Sequence, residues 1–230
     1  MHLRKLLNQT LRRFGYELGK IDRFREVIQA EYERRGEFPF VQIGANDGVS
    51  FDSLYEFVCN RKSRGLVVEP LPRFFESLRK NYEGYPAIKP VQCAIHPSET
   101  SAVIYSVDPE RESEVPEFAR GIGSFLPDHF KKTGVPEDLI VTEEVPCRPL
   151  MELVEEEGML DAALIQIDVE GFDFEVLKMI DFERFSPAVI KYEHEGLSGE
   201  DQAAARKLLE NQGYQVQVIK TDTVGIFKKA

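Results

Sequence analysis

From Phe38 onward the chain alternates short apolar runs with helix-patterned stretches, and it then closes on two strand-like runs in succession. No other feature narrows its fold as far. Strand patterns fall at 39–43, 65–69, 88–95, 102–107, 139–147, 162–168 and 188–192. Helical patterns fall at 52–59, with Asp52 as N-cap, at 72–82, opened by Pro72, and at 150–157, 173–180 and 200–212. Strand–helix alternation requires crossover connections. It therefore predicts a mostly parallel sheet covered on both faces, with ligands at the carboxyl edge of the strands. The final runs, 214–220 and 224–228, are joined by Thr221-Asp222-Thr223 alone. Three residues cannot make a parallel crossover, so one of these strands runs antiparallel.

Two stretches break the rhythm. Before it, Leu3, Leu6, Leu7, Leu11, Phe14 and Leu18, then Phe24, Val27 and Ile28, recur at helical steps, with a break near Gly15 or Gly19. Residues 1–36 read as an N-terminal helical extension that packs on the body, covers substrate or joins two copies in a homo-oligomer; lying on a membrane surface is the least expected use. Residues 37–230 read as one domain. Within it, 108–138 is polar and rich in Pro and Gly, with strands on both sides. It reads as an insertion over the site: Gly121, Gly123 and Phe125 suit a lid, and an ordinary surface loop is the alternative.

Composition removes several classes. Net charge is -11, which disfavours nucleic acid as a partner. Residues 1–35 run against this trend, with nine Lys/Arg against five Asp/Glu. Cys59, Cys93 and Cys147 are scattered and form no CxxC pair, so neither a disulfide framework nor a zinc knuckle is expected, and a reducing cytoplasm fits. No apolar run approaches the ~18 residues that span a bilayer.

The first strand runs into Gly44-Ala45-Asn46-Asp47-Gly48, and the second ends in Glu69. Glycines let backbone approach a ligand closely. A carboxylate one βα unit later can accept from both hydroxyls of a ribose. Together they predict a nucleotide site.

Several segments then resemble the FkbM family of S-adenosylmethionine (SAM)-dependent methyltransferases. They are Val-Gln-Ile-Gly-Ala-Asn-Asp-Gly (41–48), Val-Val-Glu-Pro (67–70), Gln-Cys-Ala-Ile (92–95), Leu-Ile-Gln-Ile-Asp-Val-Glu-Gly (164–171) with Glu-Val-Leu-Lys (175–178), and Ile-Lys-Tyr-Glu-His-Glu (190–195). The similarity covers roughly 38–228. It implies a class I SAM-methyltransferase Rossmann-like fold, with a mostly parallel seven-stranded sheet and a C-terminal antiparallel hairpin. It also implies O-methylation of a hydroxyl on a small sugar or natural product. On matching positions, Gly44, Ala45, Asn46 and Gly48 surround the methionine and ribose parts of SAM, Glu69 holds the ribose hydroxyls, Pro70 belongs to the cofactor site, Cys93 and Ala94 lie against the adenine, and Asp168 stands beside the methyl donor. Family members often carry Asp where this chain has Gln42. Asp47 or Asp168 would then supply the charge that faces the cofactor's ammonium.

A hydroxyl acceptor needs a base or a metal. Asp168, Glu170, Glu193, His194 and Glu195 gather at two strand ends. Asp168 and His194 are the candidate bases; His194 bonded to a neighbouring carboxylate is the structural alternative. Glu193 belongs to the same catalytic group. Glu170 either joins it or caps the next helix. Asp168, Glu193 and Glu195 could hold Mg²⁺ through oxygen, although spacing alone supports this weakly and no metal site is expected. A nicotinamide-dependent oxidoreductase expects Gly-x-Gly-x-x-Gly, which residues 44–48 lack. A non-catalytic binding module is the other alternative.

Overall fold

The computed structural model describes residues 22–50 and 52–228; the leucine-rich stretch 3–18 lies outside them. The second helical pattern of the extension is α1 (Arg23–Arg35), which buries Phe24 and Ile28. Asp22 caps it by accepting from the Arg25 amide, and Gly36 at φ 78° ends it. The domain continues as β1 (Phe40–Ile43), α2 (Tyr55–Asn60), β2 (Gly65–Val68), α3 (Pro72–Asn81), β3 (Ile88–Val91), β4 (Ala94–Ile95) and β5 (Ser101–Val107). There follow β6 (Gly123–Ser124), α4 (His129–Thr133), β7 (Ile140–Arg148), α5 (Leu150–Glu156), β8 (Leu164–Ile167), α6 (Asp173–Lys178), β9 (Val189–Glu193), α7 (Gly199–Asn211), β10 (Tyr214–Ile219) and β11 (Asp222–Phe227).

Seven strands form the main sheet in the order β10-β11-β9-β8-β1-β2-β3. All pairs are parallel except those of β11, which runs antiparallel to both β9 and β10. This order, with β11 alone antiparallel, is the class I methyltransferase-like arrangement that the resemblance implies. Strands β1, β2 and β8 are buried at every position, as a parallel sheet covered on both faces requires. Val41, Ile43, Ile165, Ile167 and Tyr192 pack into one core; Phe40, Val67, Leu164 and Val189 pack into another that includes Phe24 and Ile28 of α1. The chain leaves β1 toward β2 and β3 and later returns to β1's other side as β8. The crevice between β1 and β8 is thus the switch point where such sheets bind ligands.

Three expectations need correction. The run 88–95 is not one strand. It divides at Gln92 and Cys93, so that β3 stays in the main sheet while β4 pairs with β7 in a second, four-stranded sheet of order β4-β7-β5-β6. An apolar run carries no sign of a change of sheet. The closing hairpin turns on Lys220 and Thr221, because Ile219 pairs with Asp222. Lys220 takes φ 57°, the left-handed conformation that two-residue hairpin turns need. Asp52 does not cap α2, which begins later, after Leu54.

Residues 108–138 build a small core of their own. Val115, Ala119, Ile122, Phe130 and Val135 pack against Val107 and Leu139 at the ends of β5 and β7. Among the described residues, no helix is long and apolar enough to cross a membrane.

Candidate active site

One cavity of about 210 Å³ crosses the carboxyl ends of the central strands. A single water needs only about 10–15 Å³. Gln42, Gly44, Ala45 and Asn46 line it from β1 and its turn, Glu69 and Pro70 from β2, Cys93 and Ala94 from the break after β3, Gln166, Asp168 and Glu170 from β8, and Lys191 from β9. Phe118, Gly121, Gly123 and Phe125 reach it from the insertion.

The turn after β1 is tightly specified. Gly44 sits at φ 77°, and a Cβ there would lie 1.7 Å from the backbone oxygen of Asp168. Asp168 in turn donates its amide to the Ile43 carbonyl at 2.9 Å. Gly44 therefore brings two strand ends together. Gly48 at φ 76° similarly makes room for Leu78 of α3 and for Tyr82, the residue that ends it. The glycines expected to admit a ligand are first required by protein contacts. Asn46 holds φ 50°, donates its amide to Glu69 Oε2 at 2.9 Å and donates Nδ2 to the Gly121 carbonyl at 3.0 Å. Asp47 does not line the cavity and closes its own turn, accepting from Val49 N, Ser50 N and Ser50 Oγ.

Glu69 is buried with one backbone donor on each oxygen: Asn46 N on Oε2 and Leu71 N on Oε1, both at 2.9 Å. Burial pushes its carboxyl up to about 7 despite these bonds. Each oxygen keeps a lone pair for a further donor. Cys93, at the break after β3, is also buried, its thiol pushed up to about 12 by burial.

At β8 the acids crowd. Burial drives the Asp168 carboxyl well above its ordinary value, and Glu170, Glu193 and Asp173 add to this while Lys191 opposes it. Glu170 takes φ 53° and turns its carboxylate to His129 Nε2 at 2.9 Å, while Ser124 Oγ donates to its carbonyl at 2.7 Å. It does not cap α6, whose N-cap is Phe172. Glu193 and His194 do not line the cavity. His194 Nδ1 faces Thr223 Oγ1 at 3.1 Å, and its amide donates to the Thr221 carbonyl, so it anchors the closing hairpin. Glu193 is pushed up to about 8 by burial and then by Glu170 and Asp173. Among the described residues, no three His, Cys, Asp or Glu side chains converge to hold a metal ion, so Asp168, Glu193 and Glu195 do not form a ligand shell.

Several residues at the site have roles that the sequence does not announce, Gln166 and Lys191 of the cavity wall among them. Asp173, fully buried, accepts from Gly171 N and Glu193 N and so ties β8's turn to the end of β9. His129 supports Glu170 from the insertion. Asp52 lines the cavity with Oδ1 accepting from Leu54 N and Oδ2 from Gln42 Nε2. An acid before a helix reads as a cap, and nothing in its spacing distinguishes a cap from a cavity wall.

Residues 42–216 match the methyltransferase FkbM domain family. The chain belongs to the FkbM methyltransferase family. No curated protein is a significant match. Among solved structures, the FkbM methyltransferase of Methylobacillus flagellatus KT is similar at a TM-score of 0.52 and 15% identity, over 85% of this chain and 46% of that one. This chain thus spans less than half the length of that FkbM protein. The precorrin-6y C5,15-methyltransferase of Geobacter metallireducens GS-15 aligns at 0.44 and 14% identity, over 89% and 87% of the two chains. The N-terminal domain of human METTL16 in complex with SAH aligns at 0.46 and 14%, over 98% and 82%. FkbM membership makes this chain a methyltransferase and displaces the nicotinamide reading.

Proposed function

We propose that this FkbM protein is a SAM-dependent O-methyltransferase that acts on a hydroxyl of a small sugar or natural product. The observation that carries this reading is one continuous cavity spanning β9 to β4, with a buried Glu69 at the end of β2 and Asp168 and Glu170 over the β1–β8 crevice. SAM would supply the electrophilic methyl and its own thioether leaving group. Glu69 would receive both ribose hydroxyls on the lone pairs its backbone donors leave free. Gly44, Ala45 and Asn46 would face the ribose and methionyl parts. Cys93 and Ala94 would flank the adenine.

The protein's work is then to orient the acceptor, exclude water and remove one proton. Asp168 is the proposed base. An ordinary carboxylate is too weak a base to take a hydroxyl proton readily, and the crowded, buried setting of Asp168 raises its proton affinity. Glu170 stands beside it in the cavity, held by His129. Phe118 and Phe125 would close the acceptor side against water. Net charge and the acidic cavity fit a neutral acceptor better than a polyanion such as nucleic acid.

Methyl-labelled SAM offered with a panel of hydroxylated sugars and natural products tests this reading. Transfer to an oxygen that is abolished in Asp168→Asn, with SAM still bound, is the expected result. Transfer to nitrogen, carbon or RNA would overturn the acceptor class.

A further inference from the structure

The floor of the cavity carries a polar tier that the ribose, adenine and base assignments leave unused. Gln42 of β1 pairs with Gln166 of β8, and Gln166 pairs with Lys191 of β9, so three polar side chains stand in one row on one face of the sheet. All three line the cavity, and Asp52 meets them from the loop before α2. Gln42 is 2% exposed and Gln166 is 5% exposed. Both Oε1 atoms are buried and have no partner among the described residues. The orientation of the Gln42 amide follows from chemistry: the Asp52 carboxylate can only accept, so Nε2 faces it and Oε1 is left free. Burying an amide oxygen without a donor is costly, so two such atoms lining one cavity favour a donor there.

A carboxylate and two amide oxygens are all acceptors. Their complement is a group with several N–H donors and a positive charge. The resident cation, Lys191, acts on Asp52 through its charge, but its Nζ is bonded to Asp222 Oδ2 at 3.2 Å and gives neither amide oxygen a donor.

We infer that Asp52, with the side-chain oxygens of Gln42 and Gln166, receives the α-ammonium of the cofactor's methionyl group. The charge that Gln42 cannot carry is thus supplied from the neighbouring loop. Of the two acids expected to carry that charge, Asp47 is spent on its own turn and Asp168 is the proposed base. The position agrees with the order of subsites along the sheet. Glu69 on β2 marks the ribose, the β1–β8 crevice lies next to it, and the tier continues from β1 to β9. Burial holds the Asp52 carboxyl above its ordinary value, and a cation beside it would offset that penalty.

This inference rests on the SAM reading, and the test separates the two. Wild-type protein is titrated calorimetrically with S-adenosylhomocysteine and with 5′-methylthioadenosine, which keeps the adenosine and thioether but lacks the amino-acid head. Asp52→Asn should weaken S-adenosylhomocysteine about 10- to 100-fold, the range for a lost charged hydrogen bond, and leave 5′-methylthioadenosine within about twofold. Adding Gln42→Asp to Asp52→Asn should restore much of the loss. Gln166→Met, which removes one acceptor and no charge, should show the same ligand selectivity at smaller size; it decides the matter if Asp52→Asn melts early. Unchanged S-adenosylhomocysteine affinity in these folded variants would overturn the ammonium site and leave the SAM reading standing. Equal loss of both ligands would overturn it too, since Asp52 would then be shaping the cavity as a whole. A wild-type protein that binds neither ligand would remove the SAM reading itself, and this inference with it.

Discussion

Gly44→Ala should destabilise the protein far more than Gly36→Ala, although both glycines have nearly the same backbone angle. Gly36 lies at φ 78° with nothing within 4 Å of an added Cβ; Gly44 lies at φ 77° with the Asp168 oxygen at 1.7 Å. A left-handed residue with a Cβ costs about 1–2 kcal/mol, and this applies to both. At Gly44 the strand ends must also part by more than 1 Å. That strains or breaks the Asp168 N to Ile43 O bond, worth about 1 kcal/mol, and adds an overpacking cost of about 1–3 kcal/mol. The expected totals are therefore about 1–2 kcal/mol for Gly36→Ala and about 3–6 kcal/mol for Gly44→Ala. Urea denaturation followed by circular dichroism, with m-values checked for constancy, measures both. The same displacement moves Asp168, so a folded Gly44→Ala protein should also bind SAM poorly. Equal destabilisation by the two substitutions would refute the contact between the β1 turn and the end of β8.

Other outcomes follow from the acids. With Asp168 as base, kcat should fall as pH drops through its raised pKa, because the protonated carboxyl cannot accept; Asp168→Asn should lower kcat by about 10²–10⁴. His194→Ala should keep near-normal kcat, since His194 is turned to Thr223, and a loss of 10²-fold or more in a stable variant would return the base role to it. Asp173 is pushed to about 7, Glu69 to about 7 and Glu193 to about 8, all upward, so the folded state holds protons that the unfolded chain has released. Stability of the ligand-free protein should therefore be highest near the ordinary carboxyl range and decline as pH rises through 7–8, with Asp173 alone contributing up to roughly 4 kcal/mol. Thermal melts from pH 5 to 9 check this, and a stability that rises across that window would contradict it.

The main sheet was legible because its strands are apolar on both faces and its helices are not. The antiparallel partner was legible from a connection too short for a crossover. Register was not: Gln42, Gln166 and Lys191 lie far apart in sequence and meet only because β1, β8 and β9 are neighbours. The same limit hid His129, whose partner Glu170 lies 41 residues away. Gly44 and Glu69 were picked out as cavity residues, yet the first clears space for Asp168 and the second already holds two backbone amides. His194 stands next to site residues in sequence, but it lies past the end of β9 and its ring turns to Thr223 of the closing hairpin, a pairing the sequence does not announce.

Calorimetric titration of wild-type protein and of Glu69→Ala with S-adenosylhomocysteine bears most directly on the central claim. One molecule should bind per chain. Glu69→Ala, still folded, should bind about 10- to 100-fold more weakly, because its two oxygens would no longer meet the ribose hydroxyls. Saturable binding that is unchanged in Glu69→Ala would place the cofactor elsewhere, and no binding to wild type would contradict the account.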